Sequence, residues 1–282
     1  MTLACLMAVC LAACGGDDSD EPAVDELLST ATTQVEFRLP NDRHTYTMYD
    51  CAGNHLVGTY TTADGEKCTL SLRQGKHHIV WFMDFNNESV KYEPEGNALT
   101  AIREDGMTDY VYYDENDLEV SPYAVEMQYV SCLKEATCQL IIVLTDVAEN
   151  LSLPDGNRDI KEVGKVTGLP LVRTASLSEN KYKTDGDVGL KVYTSYQSYR
   201  SASNPNSDGI YVRMGGCQML CPKDGLNDIQ LNVEVRDADG RAVPTTQLPR
   251  FSLQRRHRTI LCGPLFSGST SDWKVDMEDR DD

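Results

Sequence analysis

Cysteine, histidine and carboxylate are the groups with which this chain could do chemistry, and their spacing decides whether they do. Cys217 and Cys221 have three residues between them, one more than the C-x-x-C of redox and zinc sites, and no second Cys/His pair lies near them. A loop disulfide is the alternative open to them. His77 and His78 precede the apolar run 79–83. Adjacent strand residues point to opposite faces, so the two imidazoles cannot share a metal; both are expected to be strand-edge side chains. Asp237-Ala238-Asp239-Gly240 opens like a calcium loop, but no further oxygen ligands or closing Glu follow at the required spacing. In a hairpin turn the same residues supply local hydrogen bonds and a positive φ. There is no G-x-S-x-G and no P-loop, and His44, His55 and His257 sit in no nucleophile motif. These patterns specify no catalytic residue, no metal site and no cofactor, so the chain is expected not to be an enzyme.

Cys14 has the most informative surroundings. It closes the apolar run 3–13, too short for the ~20 residues that span a bilayer but of the length of a secretory h-region. Leu11-Ala12-Ala13-Cys14-Gly15 resembles the lipobox of bacterial lipoproteins: a Leu, two small residues, then the Cys that becomes the lipidated first residue. The departure is that Met1-Thr2, ahead of the run, carries no Lys or Arg. On this reading residues 1–13 are a signal peptide, and the mature chain is held to the outer membrane by lipid on Cys14. Residues 14–32 follow as an acidic tether. Asp17, Asp18, Asp20, Glu21, Asp25 and Glu26 all precede the first basic residue, Arg38, and such a run cannot bury apolar surface. Fully extended, residues 15–32 reach at most ~60 Å. Asp17-Asp18-Ser19-Asp20-Glu21 also resembles the export signal that sends certain Gram-negative lipoproteins to the outer face of the outer membrane. Spacer and sorting signal are compatible, and the expected location is the cell exterior.

Composition narrows the partners. The net charge is −18, from 44 acids against 26 bases. That argues against nucleic acid, which wants a basic face, and against a polybasic membrane-surface role. Setting aside Cys5, Cys10 and Cys14 leaves Cys51, Cys68, Cys132, Cys138, Cys217, Cys221 and Cys262. An odd number leaves at least one unpaired. An exported protein can form disulfides, but several of these residues lie in strand-like runs where Cys acts as a small apolar residue. Mostly buried thiols are expected.

The elements that must position these groups read as β. Residues 33–39 alternate, with Val35, Phe37 and Leu39 on one face. Short strands follow at 45–49, 55–60 and 68–72, then the apolar run 78–83. The Gln74-Gly75 turn is expected to make a tight hairpin that drops Trp81 into the core. Residues 84–107 read as a long polar surface loop, 110–113 as a short strand and 116–122 as a connector. A second set begins near Tyr123, with strands at 124–130, 138–145, 189–193, 210–214 and 229–235. A hairpin at 237–240 follows, then 251–253, 257–265 and 273–277. Short strands separated by turn signals indicate β-sandwiches. The expected organisation is a domain at 33–122 and another at 123–282.

Two segments resemble a known family. Leu72-Arg73-Gln74-Gly75 through Trp81 is similar to the turn and strand in the amino-terminal domain of fimbrillin-like surface lipoproteins. Arg255, Arg258, Thr259 and Gly263 match the near-terminal strand motif of that family. The departures are His78, where Tyr is usual, and Arg256, where Asn is usual. The resemblance implies an all-β fold of two tandem transthyretin-like or Ig-like sandwiches. It also implies a non-enzymatic fimbrial subunit or anchor, whose partners are other fimbrial subunits joined by strand addition. In such subunits a protease cuts after Arg to remove the first strand; Arg38 lies within the alternating pattern, and Arg43 lies in the turn beyond it. From the residues themselves, Arg255 and Arg258 are expected on opposite faces of one strand, one of them paired with an acid or a carbonyl. Two other functions stay open. A glycan-binding surface lipoprotein would need an exposed aromatic platform, for which Tyr110, Tyr112 and Tyr113 are the candidates. A secreted hydrolase would need a polar catalytic cleft.

Overall fold

The computed structural model describes residues 28–39, 45–62, 67–84, 89–121, 127–130, 133–146, 160–192, 198–199, 211–237 and 239–280. Cys14, the run 17–21, Arg43, Tyr123 and Cys132 lie outside these residues. Among the described residues the chain is all-β, with 23 strands and two single-turn 3-10 helices. Contacts divide it into two compact units. The first takes the residues up to 88 with 92–98 and 110–135; the second takes 89–91, 99–109 and 136 onward.

The first unit is built from β1 (Thr32–Arg38), β2 (Thr47–Ala52), β3 (His55–Thr61), β4 (Lys67–Arg73) and β5 (Gly75–Asp84). Next come β6 (Val90–Glu93) and β7 (Ala98–Ala101), both divided between the units, then β8 (Val111–Val120), β9 (Met127–Val130) and β10 (Lys134–Glu135). β1 alternates as its sequence requires: Val35 and Phe37 are fully buried, while Gln34 and Arg38 face out. It pairs antiparallel with β4, from Thr32 opposite Arg73 to Arg38 opposite Lys67. On its other side it pairs in parallel with β9, from Val35 opposite Met127 to Arg38 opposite Val130. β1 is therefore the middle strand of its sheet. The second sheet runs β10-β8-β5-β2-β3, with β5 at its centre. Ile79, Trp81 and Met83 of β5 form one core with Val35, Phe37, Leu70 and Leu72. The Phe37 ring stands edge-on to Trp81, with centroids 5.2 Å apart.

Three expectations about this unit need correction. Gly75 makes no hairpin, because β4 pairs with β1 while β5 pairs with β2 and β8. Gln74 and Gly75 instead form the corner between the sheets. Gly75 has φ 138°, which a residue with a Cβ rarely adopts. Two backbone bonds fix the corner, Gln74 N to Ala31 O at 2.8 Å and Ser29 N to Gln74 O at 2.9 Å. The burial of Trp81 holds, at 0% exposure. Residues 84–107 are not simply a polar surface loop either: Val90, Tyr92, Ala98, Leu99 and Ala101 are buried. Strands of four residues separated by Pro94 and Gly96 are too short to display a period. Finally, β8 does not stop at Tyr113. Its residues 116–120 pair with 75–79 of β5, and the exposed Asn116, Asp117 and Glu119 disguise a strand as a connector.

The second unit contains β11 (Thr137–Leu144), β12 (Ile160–Thr167), β13 (Pro170–Ser176), β14 (Tyr182–Asp187), β15 (Lys191–Val192) and β16 (Ser198–Tyr199). It continues with β17 (Tyr211–Leu220), β18 (Leu226–Ile229), β19 (Asn232–Asp237), β20 (Ala242–Val243), β21 (Phe251–Leu253), β22 (His257–Gly263) and β23 (Lys274–Asp279). β11 is its centre, antiparallel to β17 and parallel to β22. Cys138, Leu140, Ile142 and Val143 of β11 are fully buried, as an apolar central strand should be. β19 and β20 pair antiparallel on either side of the expected turn, with Val235 opposite Val243. The expected single strand 229–235 is broken at 230–231: β18 ends at Ile229 and pairs with β21, and β19 starts at Asn232 and pairs with β12. β13 and β14 escaped the sequence pattern because neither alternates, and β14 is exposed along its length.

Trp81 closes the first core, so Trp81→Ala is expected to lower unfolding free energy by ~3–5 kcal/mol in a denaturant titration. An unchanged midpoint would mean that the indole is dispensable to the packing.

Candidate functional site

The carboxy-terminal motif is a turn followed by a strand. Arg255 lies in the turn between β21 and β22, not in a strand as expected. Its guanidinium donates to three carbonyls: Nε to Cys221 O at 2.7 Å, Nη2 to Ser176 O at 2.7 Å and Nη1 to Leu177 O at 3.2 Å. One side chain thus ties the turn to the end of β13 and to the residue after β17. A planar fork of five donors suits this work, and a point-charge ammonium does not. Arg256, next in the turn, has φ 65°, a left-handed conformation that Asn adopts more readily than Arg. Its N–H donates to Thr137 O at 2.9 Å, and its carbonyl accepts from Arg280 N at 3.0 Å. The turn is therefore pinned on both sides.

The other motif residues follow along β22. Arg258 Nε donates to Gln139 Oε1 at 2.6 Å, across the parallel pair with β11. Thr259 is fully buried, and its hydroxyl donates to Ser252 O at 2.9 Å on β21. Gly263 leaves room for Trp273: a Cβ there would lie 2.5 Å from the indole Cδ2. Glycine is required at this point by close approach.

The histidine pair also departs from expectation. β5 is a central strand, so neither residue lies at a sheet edge. They do point to opposite faces. His77 turns inward, 2% exposed, with Nδ1 2.6 Å from Asp50 Oδ1 and Nε2 2.7 Å from Arg73 O. Both partners present acceptor oxygens, and a doubly protonated imidazolium satisfies both. Burial pushes the pKa of His77 down, but the hydrogen bond and charge of Asp50 and the Arg73 carbonyl outweigh it, and the net shift is upward. Below the unfolded-state pKa this pair stabilises the fold in full; its contribution is lost as pH rises through the higher folded-state value. The dyad cannot serve a nucleophile, because Nε2 is already committed to a carbonyl.

His78 points to the other face and is half-buried, with Nδ1 3.0 Å from Asp117 Oδ1. It lies in a cleft of about 590 Å³ with Asn54, Lys76, Asn97, Asp117 and Glu119. Sequence reasoning missed this cleft, which the pairing of β5 with residues 117–119 creates. The tyrosine patch forms no platform: Tyr113 is buried, Tyr110 and Tyr112 are half-buried, and Tyr112 packs against the first core. Cys51, Cys68, Cys138, Cys217 and Cys221 are buried free thiols and Cys262 is half-buried. Among the described residues no three His, Cys, Asp or Glu side chains converge as a metal site would need.

No family model matches the chain, and no curated protein sequence does. Solved structures are similar to it. A candidate adhesin from Bacteroides ovatus is 12% identical, with a TM-score of 0.48, over 88% of this chain and 95% of its own. A candidate cell adhesion protein from Bacteroides eggerthii is 10% identical, with a TM-score of 0.48, over 89% and 96%. The fimbrial anchor protein Mfa2 from Porphyromonas gingivalis is 10% identical, with a TM-score of 0.46, over 82% and 91%.

Arg255→Lys keeps the charge but cannot span three carbonyls. It is expected to cost about 2–3 kcal/mol, the scale of lost hydrogen bonds to a charged group. Equal denaturation midpoints for the two proteins would make the clamp irrelevant to stability.

Proposed function

We propose that this chain is a non-enzymatic, lipid-anchored protein of the cell exterior, acting as an uncleaved fimbrial anchor or accessory subunit. Its two compact units serve as the sandwich domains, with the boundary after β10 rather than at 122/123, since β9 pairs with β1. Cys14 carries the lipid, and the acids at 17–21 direct the chain outward. Other fimbrial subunits are the partners, joined by strand addition.

One observation carries the choice of an anchor over a polymerising stalk subunit: both outermost strands of the described fold are committed to the chain's own sheets. β1 is hydrogen-bonded on both sides, and Arg38 lies within it, opposite Lys67 and Val130. Its peptide bonds are shielded from a protease that needs extended, unpaired backbone. Removing β1 would strip Val35 and Phe37 from the core, leaving a large apolar slot. At the other end, β23 pairs with β22 from Asp279 opposite His257 to Lys274 opposite Cys262. Trp273, just before it, is buried. A strand held in this way is not free to complete a neighbour. The buried dyad at His77 and Asp50 offers no base for hydrolysis, and the half-buried tyrosines offer no stacking platform for a sugar.

Mass spectrometry of the chain recovered from surface fibres tests this reading. The expected result is a lipidated Cys14 peptide together with an intact peptide across Arg38 and Arg43. A new amino terminus at His44 or Thr45, with the Cys14 peptide missing, would overturn the anchor in favour of a polymerising subunit.

A further inference from the structure

The anchor reading leaves the cleft at His78 without a task. Its volume, about 590 Å³, falls within the ~300–1,000 Å³ of small-molecule sites. Every residue that lines it belongs to the first unit. Strand register sets its centre. Lys76 and His78 are two apart on β5 and share a face. β8 places Glu119 opposite Lys76 and Asp117 opposite His78. The Gly53-Asn54 turn between β2 and β3 adds to the lining, as do Pro94 and Asn97 of the 3-10 turn after β6. Two of the side chains are held in place. His78 Nδ1 lies 3.0 Å from Asp117 Oδ1. Asn97 accepts from the Tyr92 hydroxyl at 3.1 Å and donates to Glu115 Oε2 at 2.7 Å. Three others are uncommitted. Lys76 and Glu119 face each other across the ladder yet form no ion pair, and the side chains of Lys76, Glu119 and Asn54 have no hydrogen-bond partner among the described residues. An ammonium donor, a carboxylate acceptor and a carboxamide that is both thus open onto one cavity, beside the second oxygen of Asp117.

We propose that this cleft binds a neutral oligosaccharide. A hydroxyl is donor and acceptor at once, so a row of adjacent hydroxyls satisfies a cavity in which donors and acceptors are mixed. Asp117 and Glu119 accept from hydroxyls, Lys76 donates to hydroxyl or ring oxygens, and Asn54 does both. The C–H face of the same sugar ring suits the apolar surface that Pro94 adds to the lining. The other ligand classes fit less well. An anion would meet two carboxylates against one ammonium, in a chain of net charge −18. A metal ion lacks three converging ligands among the described residues. An added strand finds no free edge at β5, which is paired with β2 and β8. Recognition here runs through hydrogen bonds that replace hydrogen bonds to water, without an aromatic platform. Each contributes little net free energy, so the affinity is in the millimolar range of weak specific sites.

The site goes beyond the anchor reading and does not rest on it. Full-length protein, held in a detergent without a sugar headgroup, is titrated with maltotriose, cellotriose, mannotriose and triacetylchitotriose, and saturation-transfer difference NMR reads the binding. Saturable transfer to at least one of the four is the expected result. Asp117→Ala and Glu119→Ala are each expected to weaken it about tenfold or more, the scale of one lost hydrogen bond to a charged group. Lys183→Ala, on the exposed strand β14, is expected to leave it unchanged. All three positions are exposed, so the variants are expected to keep the parent's thermal midpoint, which is measured alongside. No saturable transfer from any of the four at millimolar concentration would overturn the proposal. Transfer that both cleft variants leave intact would also overturn it, by moving the sugar elsewhere. Binding of trilysine, lost in the same two variants, with no sugar bound would assign the cleft to a cationic peptide instead. None of these results touches the anchor reading, which stands or falls on the peptides at Cys14, Arg38 and Arg43.

Discussion

The fold of the first unit depends on a single strand that must be covered twice. β5 lies at the centre of its sheet, and Ile79, Val80, Trp81, Phe82 and Met83 are all buried, on alternating sides. A half-buried strand would alternate; this one is a continuous apolar run, so water has to be removed from both of its faces. One face receives the sheet of β1 and β4, with Phe37 edge-on to Trp81. The other carries Tyr49, opposite Val80 in register, and there Tyr92 of β6 packs with its ring tilted, centroids 4.9 Å apart. The chain can reach the first cover only by turning a corner directly before β5. That explains why Gly75, with φ 138°, sits at the sheet change and not in a hairpin.

Side-chain donors supplement the ladders. A buried carbonyl without a donor is costly, and side chains can supply donors where strands end. In the first unit His77 donates to Arg73 O at the end of β4. In the second, Arg255 collects the carbonyls of Ser176, Leu177 and Cys221. Each is polar because backbone must be satisfied where two segments part.

Long alternating segments were legible in the sequence. β1, β4 and the apolar β11 show their burial directly in residue type, as does Trp81. The short or two-sided elements were not. β6 and β7 are only four residues each, and β14 buries nothing, so no period could appear. The polar second half of β8 faces solvent and imitates a loop. His77 looked like an edge residue because its partner, Asp50, lies 27 positions away on β2. Arg255 looked like a strand residue because the left-handed φ that ends the turn falls on Arg256, a type that does not announce such a conformation. In each case the deciding partner is distant in sequence, and local pattern carries no record of it.

Retention of both outer strands distinguishes a tethered, self-complete subunit from one prepared for exchange, and β1 is the more telling of the two. Native-state amide hydrogen exchange measures its hold directly. The account predicts that the amides of Val35 and Phe37 exchange only with global unfolding of the first unit, at the same opening free energy as Ile79 and Trp81 on β5. Exchange of the β1 amides through a separate opening, orders of magnitude faster than β5, would contradict it and mark β1 as a strand the fold can release.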